Sequence, residues 1–171
     1  GSVFANVALS NGNLSVAYIE NSIFSGANLA GANLSGSWTS LSNFEVAVLT
    51  TANIERAVIE FSNHSGANFT GANLSSAHLR TTNFTNANFA NAHIDFATIT
   101  GSNFTGANFT GTTFLDTTAD GATTFMTPPA GAPDTANATG VVQIPVLAND
   151  TNVNGVANGR TLVAAEISDP A

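Results

Sequence analysis

The sequence predicts an all-β solenoid followed by a short extended tail, and two observations predict it. From Phe4 to Phe114 nearly every fifth residue is large and apolar, and the residue two places earlier is small. A period of five fits neither the 3.6 of a helix nor the alternation of an ordinary strand, whereas self-similarity at a short fixed period is what a coil stacked on itself requires. A slower rhythm of twenty runs beneath the first. The small residue is hydroxylated at Ser2, Ser22, Ser42, Ser62, Thr82 and Ser102, every fourth unit, and elsewhere only at Ser37 and Thr112.

Twenty residues at five per unit give four sides, each with its own column of inward side chains. The first column is Phe4, Phe24, Phe44, His64, Phe84 and Phe104, the second Leu9, Leu29, Leu49, Phe69, Phe89 and Phe109. The third is Leu14, Leu34, Ile54, Leu74, Ile94 and Phe114, and the fourth Ile19, Thr39, Ile59, Leu79 and Ile99. Successive coils pair as parallel strands about 4.8 Å apart, so each large side chain rests on its equivalents above and below. The 23 units make about 5.75 coils and a rod about 27 Å long. Only Thr39 and His64 interrupt the apolar columns.

Ala-Asn-Leu-Ser-Gly at 32–36 and Ala-Asn-Phe-Thr-Gly at 67–71 are clear instances of the unit. Sustained from Ser2 to about Asp116, the units resemble the pentapeptide-repeat family. The resemblance implies a right-handed quadrilateral parallel β-helix with four pentapeptides per coil. It also brings in a function found in some members, which resemble a DNA duplex in shape and charge and inhibit type II topoisomerases.

Open ends of such a coil are exposed sheet edges, which natural proteins cap, cover or use for pairing. No amphipathic helix precedes the first coil, so Phe4, Leu9, Leu14 and Ile19 are expected at an uncapped end, while Phe125 and Met126 could fold over the last coil. The outward residues of three sides are mostly Asn; those of the fourth read Tyr18, Trp38, Val58, His78 and Thr98. With Val16, Leu41 and Phe61 at adjoining corners, Tyr18, Trp38 and Val58 form an apolar patch of the kind that marks an interface. Either the chain's own tail covers it or another copy or partner docks there. A local register shift at Thr39, turning Leu41 inward, is the alternative.

The repeat is expected to occupy residues 1–116, a linker or C-terminal cap 117–133, and a β tail 134–171. The tail, through Val-Leu-Ala-Asn-Asp-Thr at 146–151, resembles the start of a bacterial cadherin-like or immunoglobulin-like surface repeat. A segment this short seldom folds alone, so a strand carrying Val141, Ile144 and Val146 is expected to join an existing surface, on its own rod or a neighbour's. Pro145 restricts it to an edge or bulge. Asp150, Asn152, Asn154 and Gly155 have the spacing of a calcium loop, but Thr161 stands where the bidentate Glu belongs, so a plain turn is favoured. Calcium is the one cofactor this spacing suggests.

Charge and composition exclude several classes. The net charge is -8, lysine is absent and the cations are Arg56, Arg80 and Arg160, so no basic patch can hold nucleic-acid phosphate. No apolar run reaches the roughly 20 residues of a membrane span and no leader precedes Phe4, so neither membrane insertion nor an export signal within this chain is expected. With no cysteine there is no thiolate site. His64 reads as a neutral core residue, and the pairs His93/Asp95 and His78/Arg80 lack a third partner, so no catalytic constellation assembles. A DNA mimic of this length would want roughly 16 negative charges; Glu20, Glu45, Glu55, Glu60, Asp95 and Asp116 fall short, leaving mimicry the runner-up. Ice binding comes third, with Thr98/Thr100 the single outward two-threonine pair. The leading expectation is a non-catalytic structural or assembly protein. It would be the rigid solenoid of a bacterial extracellular surface protein, adhesin or self-assembling fibre, partnered by copies of itself or other surface modules through end stacking or tail-strand exchange.

Overall fold

One large inward side chain per five residues leaves the backbone no option but to turn after each. The structure, a computed structural model, describes residues 1–124 and four two-residue strands beyond them. A left-handed residue recurs at every fifth position from Asn6 to Asp116, eight of them glycine and fifteen not. The four-sided coil that results has strands on its fourth side: β1 (Tyr18–Glu20), β2 (Trp38–Ser40), β3 (Val58–Glu60), β4 (His78–Arg80), β5 (Thr98–Thr100) and β6 (Thr118–Ala119). These form one parallel sheet in sequence order. Its register of twenty sets Ile19 on Thr39 and Thr39 on Ile59. The other sides pair through single bridges such as Ile23↔Asn43, Asn28↔Val48 and Asn33↔Asn53.

Three corners of each coil differ from the fourth, and the difference accounts for the hydroxyl rhythm. At the first three, the small residue closes the turn by donating its N–H to the preceding large residue's carbonyl, as in Ala47 to Phe44 (3.0 Å), Ala52 to Leu49 (3.1 Å) and Ala57 to Ile54 (3.1 Å). With positive φ at the third residue only, this is type II geometry. The fourth corner follows a longer strand, and the small residue there makes no such bond. Instead Ser42 N donates to Ser62 Oγ of the next coil (3.1 Å), and the Ser62 hydroxyl donates to Glu60 O (2.8 Å). Ser2, Ser22 and Thr82 repeat the upward bond. A buried donor is thus satisfied by a side chain where the backbone cannot reach.

Alanine and the large columns fill the interior. Phe24 and Phe44 stack at 4.7 Å and 4°, Phe69 and Phe89 at 4.7 Å and 3°. Thr39 is buried in its column and Leu41 stays outside, so the register does not shift. His64 occupies a phenylalanine's place, stacked 4.8 Å from Phe44. The Nδ1 atom of this imidazole is buried without a hydrogen-bond partner, and burial pushes its pKa down from 6.5 to about 3.

The boundary expected at residue 116 falls inside the last coil. β6 pairs with β5, and Asn103 bridges Thr124 rather than a residue twenty away. One extra residue is taken up in a turn where Asp120 receives Gly101 N (2.9 Å) and the Thr123 hydroxyl (2.8 Å). The Gly101 bond is the main reason the Asp120 carboxyl is held below its ordinary value. In the tail, β7 (Ile144–Pro145) pairs antiparallel with β10 (Thr161–Leu162), and β8 (Asp150–Thr151) with β9 (Ala157–Asn158). Val141, Val146, Asn152, Asn154, Phe125 and Met126 lie outside the described residues.

Candidate functional site

The polar sides bind themselves. Each Asn Oδ1 accepts from the N–H two residues on, as Asn43 does from Glu45 (3.0 Å) and Asn83 from Thr85 (3.1 Å). This is the local habit that favours Asn at turns. Where that residue is Thr its hydroxyl donates to the same oxygen, 2.6 Å at Thr85 and 2.7 Å at Thr105. The amide nitrogen then donates to the coil below, Asn83 to Asn63 (3.1 Å) and Asn108 to Asn88 (3.0 Å). Much of the polar capacity that such a face would offer a ligand or ice is spent within the protein.

The fourth side has no such ladder. Tyr18 and Trp38, 60% and 43% exposed, meet edge to face at 5.0 Å and 87°, and Trp38 Nε1 donates to Glu60 Oε1 at 3.0 Å. Val58 is half-buried beside them. Leu41 and Phe61 stand at the next corner, each more than half exposed, with φ of 52° and 50°. An L-residue in that conformation costs about 1–2 kcal/mol, and for bulky or β-branched types it is a genuine outlier. The large apolar residues bearing this cost are Val16, Leu41, Val46, Phe61 and Phe96, and all but Val46 border the fourth side. Phe96 was missed by reasoning from the inward columns, as were Val3 and Ile23 on the adjoining first side; the corner position two after each centre was the signal for Phe96.

At the corner before the fourth side, Gly36 leaves a notch between Val16 and Arg56. The cleft there, about 250 Å³, is lined by these three with Ser35, Asn53 and Glu55, and Arg56 pairs with Glu55 at 3.3 Å. The outer column of the same side reads Glu20, Ser40, Glu60, Arg80, Thr100 and Asp120. Other carboxylates sit elsewhere, Glu45 on the first side, Glu55 and Asp95 on the third and Asp116 at the corner after it, so among the described residues negative charge forms no continuous line.

Two further sequence candidates resolve differently. His93 and Asp95 do have a third partner, Thr113 one coil above. The Thr113 hydroxyl donates to Asp95 Oδ2 (2.8 Å) and lies 3.1 Å from His93 Nδ1. His93 Nδ1 and Asp95 Oδ2 are themselves 3.9 Å apart, so the three side chains form one polar cluster at the surface. In the first coil, exposure falls as the coil climbs toward the second: Phe4 is 39% exposed, Leu9 and Leu14 are half-buried, and Ile19 is buried, so Ile19 is not part of an open end. Asp150 pairs through β8 with Asn158. Among the described residues no three His, Cys, Asp or Glu cluster as metal ligands, and no helix is long and apolar enough to cross a membrane.

The pentapeptide-repeat family model matches in eight copies, over residues 1–36, 27–60, 62–95 and 87–123. No curated protein is a match by sequence. Among solved structures, two trypsin-treated forms of QnrB1, a plasmid-mediated fluoroquinolone resistance protein, superpose with TM-scores of 0.54 and 0.51 at 18% and 20% identity. These matches cover 69% and 70% of this chain and 72% and 74% of those chains. HetL from the cyanobacterium Nostoc, involved in heterocyst differentiation regulation, follows at 0.48 and 18% identity, over 91% of this chain and 78% of that one. At these identities the likeness concerns the fold alone.

Proposed function

The chain belongs to the pentapeptide-repeat family, and we propose that within it this protein is a non-catalytic assembly scaffold whose fourth side is its protein-docking face. The observation that carries the reading is the concentration of exposed, conformationally costly apolar residues there, against polar sides that hydrogen-bond to themselves. A stable rod has no need of Phe61 or Leu41 at a left-handed corner, where Gly or Asn serves at lower cost. Outlying conformations of this kind are a reason to look for function. The scattered carboxylates favour no DNA-like reading. A setting at the bacterial cell surface is proposed with it, supported by the absence of lysine and cysteine and by the surface-repeat character of the tail.

The triple variant Trp38→Thr, Leu41→Asn, Phe61→Gly tests this in the full chain. Measured at submicromolar protein, where no partner copy is bound, its melting temperature is expected to equal or exceed the parent's, the relief of two left-handed corners offsetting the loss of Trp38's contacts with Tyr18 and Glu60. A fall of several degrees would mean that the chain covers this face itself, and would overturn the reading.

A further inference from the structure

We infer that the partner on the fourth face is a second copy of this chain, packed face to face and antiparallel about a two-fold axis midway between β2 and β3. The inference rests on the docking reading and names its occupant. A two-fold contact requires a surface complementary to itself. With the axis along the strand direction, each outward column meets itself in reverse, so the choice of rung fixes every opposing pair.

In this register Glu20 faces the partner's Arg80, and by symmetry Arg80 faces the partner's Glu20. Leu41 meets the partner's Phe61, closing the two costly corner residues against each other. Trp38, the largest side chain of the face, lies over the partner's Val58, the smallest of its column in these four rungs. The notch at Gly36 receives the partner's Arg56. No like charges oppose.

Three neighbouring registers oppose like charges, and a full rung down, between β1 and β2, opposes none but leaves Glu60 and Arg80 with nothing opposite and halves the number of paired rungs. Moving the axis half a rung up onto β3 sets Glu60 against itself and Arg56 against itself. Half a rung down, onto β2, it sets Glu20 against Glu60. A full rung up opposes Glu20 and Asp120, which cancels the Glu60–Arg80 pairs it gains. Like charges brought together cost several kcal/mol at an interface. A parallel pair, by contrast, lays Tyr18 over Glu20 and Val58 over Glu60, burying carboxylates with no cation opposite. Four rungs are about 19 Å tall, so the contact is smaller than a standard specific interface and weak association is expected.

Sedimentation equilibrium on the full chain across the micromolar range is the test, read together with Trp38 emission, since Trp38 is the sole tryptophan. A monomer–dimer equilibrium is expected, with the emission shifting to the blue as dimer forms. Glu20→Arg and Arg80→Glu should each weaken dimerisation by about tenfold or more, since each change places two like-charge pairs in the dimer. The double variant restores both pairs and should recover most of the loss. A monomer throughout overturns the second-copy inference, as does a dimer indifferent to these changes or not rescued by the double variant. Either result leaves the docking face standing if the triple variant above still melts unchanged, so the two readings fail separately.

Discussion

Replacing His64 with Phe should stabilise the rod and remove part of its acid sensitivity. At neutral pH the imidazole is already uncharged, and its cost is the buried Nδ1 without a partner. Leaving such a group unsatisfied costs about 1–3 kcal/mol, which the phenyl ring recovers. Room for the ring is shown two coils on, where Phe104 and Phe109 sit side by side at 5.6 Å, as the introduced ring and Phe69 would. The pH dependence follows from the depressed pKa of about 3 against an ordinary 6.5. Above 6.5 neither folded nor unfolded chain binds the proton, and His64 contributes nothing to the slope. Below it the unfolded chain takes up a proton that the folded chain refuses until about pH 3, so stability falls with pH through that window by about 1.4 kcal/mol per unit. Between pH 7.5 and 4.5 the parent should lose about 3 kcal/mol more than His64→Phe. Urea denaturation of both proteins at the two pH values measures this, and the carboxylates, common to both, cancel in the difference. Equal losses in the two proteins would refute a neutral, buried imidazole.

The remaining expectations concern corners. Ser62→Ala removes the acceptor of Ser42 N and should cost about 1–3 kcal/mol in denaturant titration. Phe96→Gly relieves a positive φ of 59° at an exposed corner and should raise stability by about 0.5–1 kcal/mol after the entropy of the freer unfolded chain is set against it, seen as a higher melting temperature. Gly66→Ala should do the reverse, losing about 1 kcal/mol, since φ is +65° and the new Cβ meets Val46 Cγ1 at 3.1 Å.

What the sequence made legible is what the narrow interior dictates. A rod with room for one large side chain per side must write its period into the chain, so the columns, the twenty-residue coil and the buried places of Thr39 and His64 can be read from residue spacing. Corners are another matter. Val16, Gly36 and Arg56 occupy equivalent left-handed positions, and because the stacked coils enforce that conformation whatever the residue, identity does not reveal it. The serine ladder was visible as a pattern, but its reason, a longer fourth strand whose corner cannot close its own turn, exists only once coils pair. Thr113 joins His93 and Asp95 across a gap of twenty for the same cause. The tail carries no period, and nothing comparable could be drawn from it. In a solenoid, then, chemistry is written down the columns and across the coils, and the docking face had to be sought there. Tyr18, Trp38 and Val58 are scattered in the chain and contiguous on the rod. The pairing of Glu20 with Arg80, sixty residues apart, becomes a statement about assembly only when the fourth side is read as a ladder with two directions.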